Sequence, residues 1–314
     1  MRIIRGLRSY PPDSPPSVVA LGAFDGIHLA HQKILDVAAA RAREISAPAL
    51  VCTFDPHPLQ VLSPEQAPEP IVTLAERLEL IAERGIDATV IIPFTPEFSC
   101  IEPDAFVKEV LLDTLRAREI VVGFNHTFGR GASGDARLLE ALALRLGFVA
   151  HVIAPLTVRG ATVSSSAIRD ALRAGDVAAA RRFLGRPYTI HGPVVRGAGR
   201  GRELGFPTAN IKPDRPLLVA TGVYAGYARV EGDAAAGAGE PATLKSVLNV
   251  GYRPTFGENQ YWVEAHLIDF AGDLYDRVLG IALVERIREE RKFSDVDALR
   301  RQIRSDIATA AEIL

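Results

Sequence analysis

The chain has two cysteines, one methionine and one tryptophan among 314 residues. Cys52 and Cys100 stand in apolar contexts without metal-ligand spacing, which excludes a disulfide framework or a cysteine-held metal; both read as buried structural thiols. Charge of one sign is also lacking. A formal net charge of −2 argues against general nucleic-acid or membrane-surface binding and leaves room only for a local basic pocket. No apolar run is long enough to span a bilayer, and MRIIRGLRSYPPDSPP has no apolar core of a secretory signal. A cytoplasmic protein is expected. Apolar content of 48% and charged content of 24% are ordinary for a globular chain, and the length predicts two domains.

The first half alternates strand and helix. Short apolar runs predict strands at Val18–Gly22, Ala49–Phe54, Thr89–Pro93, Glu119–Gly123 and Val149–Ile153. Helical spacing predicts helices at Leu29–Glu44, Leu74–Glu83, Pro103–Leu115 and Asp135–Leu146, with Gly85 and Gly147 as stops after two of them. Such alternation predicts a parallel, doubly wound sheet, whose ligands bind beyond the carboxyl ends of the strands. Odd residues collect at those ends.

LGAFDGIHLAH (Leu21–His31) is a strand-to-helix turn. Freed N–H groups and the helix dipole favour an anion there, and His28 and His31, three residues apart, face the same way. A capped helix start with two partly exposed histidines satisfies the same residues. FDPHP (Phe54–Pro58) has a backbone stiffened by two prolines; it is either a rim for a planar ring or an ordinary turn. In GFNHTFG (Gly123–Gly129) the Asn125 amide can read a heterocycle edge or close an Asx turn. VSSSAIR (Val163–Arg169) opens a helix with three serines and an arginine. One N-cap serine explains only part of this set, and a polyphosphate suits all of it.

Taken in order, the GxFDGxHxxH turn, FDPHP, GxNxxFG and SSSxIR resemble the adenylyltransferase module of bacterial bifunctional riboflavin kinase/FAD synthetases. The resemblance implies a nucleotidyltransferase domain with ATP along Gly22, Phe24, Asp25, His28 and His31, the two histidines at its phosphates. Ser164, Ser165, Ser166 and Arg169 would help to hold the polyphosphate. Pro56, Pro58, Asn125 and Phe128 would shape a flavin pocket. The FMN phosphate would attack the α-phosphorus of ATP in line, releasing pyrophosphate and giving FAD. The nucleophile is already an anion, so positioning and charge stabilisation dominate. Two residues depart from the family pattern: Ala30 replaces the usual glycine of the histidine motif, and His126 an aromatic.

After Arg181–Pro187 the pattern becomes all-β. Strands are predicted at Tyr188–Val195, Val223–Val230, Leu244–Val250, Trp262–Leu267 and Val278–Arg286, forming a small closed barrel. Glu231–Ala242 reads as a flexible hairpin loop. A terminal helix is predicted from Ser294 as its N-cap, with an acid three residues on. The domain boundary is placed between 184 and 185.

RGAGRGRELGFPTAN (Arg196–Asn210) interleaves glycine with arginine, without a Walker A ending. It suits phosphates, or is a flexible basic loop before a strand. Thr208 and Asn210 share one face of an extended segment and offer hard oxygen ligands of the kind Mg²⁺ takes. Glu264 and His266 share one strand face; the carboxylate, turned into a barrel mouth, can accept a proton from an attacking hydroxyl, or is a paired surface acid. His266 reads as structural.

With GVYA, SVLNVGYRPTF and LYD, these segments resemble the riboflavin kinase module of the same enzymes. That implies attack of the riboflavin 5′-hydroxyl on the γ-phosphorus of ATP, with Glu264 as general base and Thr208 and Asn210 holding Mg²⁺. Arg196, Gly197, Gly201, Arg202, Gly205, Phe206 and Thr208 would contact this ATP. Arg288, Arg291 and Phe293 would contact the flavin, along with Glu264. The expected protein is an α/β enzyme with an N-terminal doubly wound sheet and a C-terminal antiparallel β-barrel closed by a terminal helix. It takes riboflavin, FMN and ATP, needs no nucleic acid or membrane, and is a monomer or weak homo-oligomer. Three alternatives remain at this level: a riboflavin kinase with an inactive or repurposed first domain, a non-catalytic flavin-binding regulator or carrier, or adenylyl transfer to another phosphate ester.

Overall fold

The computed structural model describes residues 1–197, 199–231, 243–255 and 258–314, with side chains at 253–260 left aside. The expected loop at Glu231–Ala242 lies, after Glu231, outside the described residues, as does Phe256. The chain divides into two compact units, Met1–Ser165 and Ser166–Leu314. This division falls earlier than the expected boundary and inside the serine motif.

In the first unit β1 (Arg2–Arg5), β2 (Ser17–Leu21), β3 (Ala49–Asp55), β4 (Ala88–Pro93), β5 (Ala117–Gly123) and β6 (Val149–Ile153) form one sheet in the order β1-β4-β3-β2-β5-β6. All five pairings are parallel. β1 was not expected, because RIIR is four residues long and bracketed by charge. It forms an edge strand, where such residues discourage further pairing.

Side chains of β2 alternate between two cores, as a strand buried on both faces requires. Val18 and Ala20 pack with Ile34, Leu35 and Ala38 of α1 (Leu29–Glu44). Val19 and Leu21 pack with Phe106, Val107 and Leu111 on the other face. Those three belong to a helix that starts as α-helical over Pro103–Ala105 and widens to π geometry over Phe106–Thr114. Leu35 is fully buried, so its truncation to alanine costs about 2–5 kcal/mol. Further helices lie at Pro58–Leu62, Leu74–Ala82 (α2 and α3 here), Pro96–Ser99 and Ala136–Leu146. Cys52 is buried as expected, but Cys100 is exposed, because it caps the C-terminal end of the short Pro96–Ser99 helix.

The second unit contains most of a helix over Ser165–Arg173, a helix over Val177–Leu184, and a closed six-stranded barrel. Its strands are β9 (Tyr188–Val195), β10 (Ala209–Ile211), β11 (Gly222–Val230), β12 (Leu244–Thr255), β13 (Glu258–Leu267) and β14 (Val278–Arg288), β7 and β8 being a small hairpin at Thr157–Val158 and Ala161–Thr162. All barrel pairings are antiparallel, in the order β10-β13-β12-β11-β14-β9. β10 is too short to show a period in sequence, yet it closes the barrel.

The terminal helix, Val296–Ile313, packs against β11, β12 and β14. Its N-cap is Asp295, not Ser294: Asp295 Oδ1 accepts the N–H of Ala298 at 2.7 Å, while Ser294 donates to Asp295 Oδ2 at 2.8 Å. A carboxylate answers the helix dipole better than a hydroxyl, and these bonds hold the Asp295 carboxyl below its ordinary pKa. Among the described residues no helix is long and apolar enough to cross a membrane.

Candidate active sites

The strand order reverses between β2 and β5, so the crevice of the first sheet opens beyond their carboxyl ends. The Gly22–His31 turn follows β2 and the Gly123–Gly129 loop follows β5. His28 is the N-cap of α1, and its Nδ1 accepts the N–H of His31 at 3.2 Å. The rings stack with centroids 3.6 Å apart and planes at 16°. The capped start and the paired histidines are therefore one arrangement, but only His31 is partly exposed as expected, His28 being buried because its ring is turned in to cap the helix. With Nδ1 accepting, a neutral His28 carries its proton on Nε2 and can donate only from there.

His31 is held well below its ordinary pKa, first by burial and then by His28 and Arg77. It stays neutral at neutral pH, and its buried Nδ1 has no hydrogen-bond partner among the described residues. Beneath it Phe24 is buried and meets it edge-on at 5.3 Å. Phe24 thus props the turn from the core, and a side chain on Gly22 would press on its ring at 3.3 Å. Asp25 is likewise turned inward: its carboxylate accepts from Ile71 N–H at 3.0 Å and Val72 N–H at 3.4 Å.

Ser165 Oγ donates to the Asp25 carbonyl at 3.0 Å, bringing this serine to the turn. Ser164 is half-buried beside it. Ser166, exposed, and Arg169, buried, fall in the second unit. Asn125 is exposed, with its Oδ1 close over Gly123. Pro56 is exposed and follows a cis Asp55–Pro56 bond; Pro58 begins α2, whose cap is His57.

Phe128 is buried, not open to a ligand across its face, because its ring packs over Gly134 and at 5.9 Å from Phe106. It ends a row of rings running through Phe54, Phe98 and Phe106, and His126 stacks on it at 6.1 Å. Burial pushes the His126 pKa down to about 4. Sequence reasoning missed Phe94 and Phe98, which have no periodic context, and Arg77. The last left a signal: it interrupts the apolar stripe Leu74, Leu78, Ile81.

In the second unit a cavity of about 430 Å³ is lined by Gly201, Phe206, Thr208, Asn210, Glu264 and His266, and by Leu299, Ile303 and Asp306 of the terminal helix. Val263 and Ala265 point into the barrel and are fully buried. Glu264 therefore faces the outer cleft beneath the terminal helix, not the barrel mouth expected for it. The alternation of β13 decides this. Its register neighbours are Asn210 on β10 and Asn249 on β12, so a carboxylate stands between two amides. Asn249 and Glu290 also line the cavity, and neither was expected from sequence, since only register and the chain reversal after β14 bring them there.

The glycine loop lies directly on the candidate metal ligands. A Cβ at Gly197 would collide with the Asn210 amide, and one at Gly201 would stand 2.9 Å from Thr208 Oγ1 and 2.6 Å from the Phe206 carbonyl. Gly205 has φ +89°, which suits glycine. A smaller cavity of about 100 Å³ also reaches Thr208 and is lined by Arg202 and Tyr275. Arg196 is exposed, its guanidinium 5.5 Å over the Tyr275 ring, and it does not line the larger cavity.

Arg288 lines that cavity but is committed to structure, with Nη2 donating to Asp306 at 2.8 Å and Nε at 3.0 Å. Arg291 packs 4.9 Å from the Phe293 ring, and both line the cavity. His266 is structural as expected: its Nδ1 lies 2.9 Å from the Pro207 carbonyl, and its ring meets Phe206 edge-on.

Comparison with known proteins addresses both halves. The FAD synthetase family model matches residues 10–167 and the riboflavin kinase family model residues 184–314. Bifunctional riboflavin kinase/FMN adenylyltransferases of Pseudomonas fluorescens and Escherichia coli K12 are each 35% identical to this chain over 99% of it and 97% of their own length. That of Bacillus subtilis 168 is 36% identical over 92% of this chain and 90% of its own. A solved Streptococcus pneumoniae chain, titled a macrolide-efflux protein, is 28% identical with a TM-score of 0.87 over 99% of both chains. Identity of this kind runs through both units, and the chain belongs to the bifunctional riboflavin kinase/FMN adenylyltransferase family.

Proposed function

We propose that the two units perform successive steps of flavin cofactor synthesis. The protein is a riboflavin kinase and an FMN adenylyltransferase. Riboflavin and ATP give FMN and ADP in the barrel unit; FMN and a second ATP give FAD and pyrophosphate in the sheet unit. The observation that carries the kinase assignment to residues is the register of Glu264 opposite Asn210, on one cavity with Thr208.

Glu264 takes the proton of the riboflavin 5′-hydroxyl as its oxygen attacks the γ-phosphorus, and ADP leaves. Asn210 and Asn249 flank the carboxylate and orient it. Thr208 and Asn210 are hard oxygen donors pressed by Gly197 and Gly201, a fit for Mg²⁺, which when bound would neutralise phosphate charge. Arg202 and the Gly197–Gly205 loop bring the ATP phosphates to Thr208. Glu290, Arg291 and Phe293 lie on the flavin side.

In the sheet unit a phosphate of ATP lies over the first turn of α1. His28 Nε2–H donates to it as charge develops on the leaving pyrophosphate, with His31 neutral beneath. Ser164 and Ser165 flank this position. Asn125, Pro56 and Pro58 form the rim for the flavin, backed by the aromatic row. Both reactions consume ATP, which supports a cytoplasmic setting, and the enzyme acts as a monomer or weak homo-oligomer.

The test is a chromatographic assay of purified protein with riboflavin, ATP and Mg²⁺, following FMN and FAD separately. FMN followed by FAD is expected. FMN alone would mean an inactive or repurposed first unit, and neither product would mean a flavin-binding protein without turnover.

A further inference from the structure

Arg77 lies on α3 with 7% of its surface exposed, and its side chain leaves α3 to reach the turn after β2 and the last residues of β3. Nη1 donates to the Ala23 carbonyl at 2.7 Å and Nη2 to the Phe54 carbonyl at 3.3 Å. Ala23 belongs to the turn that leads to His28. Phe54 opens the FDPHP turn. Nε finds no partner among the described residues, so burying this guanidinium is only partly compensated by the two Nη bonds, and a hydrophobic residue would complete the stripe of α3 without that cost.

The same stretch grips the nucleotide turn a second time, since Ile71 and Val72 donate their N–H groups to Asp25. Around these two grips the backbone is in the left-handed region, at Phe24 (φ +54°) between them and at Gly26 (φ +83°) and Ile27 (φ +40°) just beyond. Two of those residues are not glycine, and such a conformation persists only where surroundings impose it.

On the reading that ATP lies at the first turn and the flavin at the second, we propose that Arg77 is a positioning residue for adenylyl transfer. Its one guanidinium ties the turn after β2 to the carboxyl end of β3, from which the FDPHP turn departs, and so sets the spacing between the two substrates. In-line attack needs the reacting atoms about 3–3.5 Å apart, and a misplacement of about 1 Å costs about 10²-fold in rate. Arg77 touches neither substrate in this account; it fixes the two platforms on which they rest.

The test compares Arg77→Ala and Arg77→Lys with the natural chain, full length, measuring FMN adenylylation with varied ATP and varied FMN. Riboflavin phosphorylation by the same molecules controls for folding and concentration. Arg77→Ala is expected to lose about 10²-fold in kcat, with the KM values for ATP and FMN rising together and kinase activity within twofold. Millimolar methylguanidinium should restore at least tenfold of the lost kcat, because it can refill the site and bridge the two carbonyls; lysine, reaching one carbonyl, should restore less.

A kcat within threefold of the natural chain overturns the proposal, as does a loss that methylguanidinium leaves unchanged. Should Arg77→Ala be insoluble, Arg77→Lys decides: reduced kcat at an unchanged unfolding midpoint supports positioning, and unchanged kcat overturns it. A natural chain that makes FMN and no FAD would instead overturn the reading of the first unit.

Discussion

The imidazole of His28 lies flat against that of His31, and its Nδ1 accepts the backbone N–H of His31 at 3.2 Å. One side chain thus caps α1 through Nδ1 and, when neutral, carries its remaining N–H on Nε2. His28→Asn keeps an N-cap oxygen and removes that donor, so FAD formation from FMN should fall by about 10²-fold at an unchanged unfolding midpoint. His28→Ala should lose the same activity and about 1 kcal/mol of stability besides. Riboflavin phosphorylation should be spared in both, and paired rate and melting measurements check this.

Glu264→Gln keeps the volume and hydrogen-bonding reach of the side chain but cannot take a proton. Riboflavin phosphorylation should drop by about 10²–10⁴-fold with FMN adenylylation intact. Loss of both activities in a folded variant would refute independent sites.

Gly201→Ala places a methyl group 2.9 Å from Thr208 Oγ1 and should push that hydroxyl out of place. Titration of kinase activity with Mg²⁺ should show half-saturation raised by about 10-fold or more, as for other disturbances of groups that orient metal ligands. FAD formation should not respond.

His126 supplies a pH signature. Its folded pKa of about 4 lies below the ordinary 6.5, so between those values the unfolded chain binds the proton and the folded chain does not. Its contribution is complete above about pH 6.5 and declines as pH falls through that window to about 4. His126→Phe restores the aromatic usual in the family, and its unfolding midpoint should fall less than that of the natural chain between pH 7 and 4. Thermal unfolding across that range decides it.

Ala30, the other departure, is the second residue of α1 and lies among residues of ordinary helical backbone. No left-handed φ demands glycine there. The alanine is compatible with the helix start, and the assay for FAD measures what its methyl does to the phosphate.

Periodicity and turn chemistry in the sequence determined most of the architecture. α1 spans Leu29–Glu44 and β9 spans Tyr188–Val195 as expected, because the buried residues of each recur at the period of its element. Likewise, the histidines at i and i+3 and the alternate placing of Thr208 and Asn210 are local geometry, legible without a fold. Tertiary structure decided what local rules leave open. β1 and β10 exist only because a neighbouring strand satisfies their backbone groups. Glu264 looks to the outer cleft because barrel closure consumes Val263 and Ala265. Asn249 meets Glu264 through register alone. Arg77 reaches Ala23 and Phe54 across more than twenty residues of chain, and a contact between parts distant in sequence leaves no periodic trace.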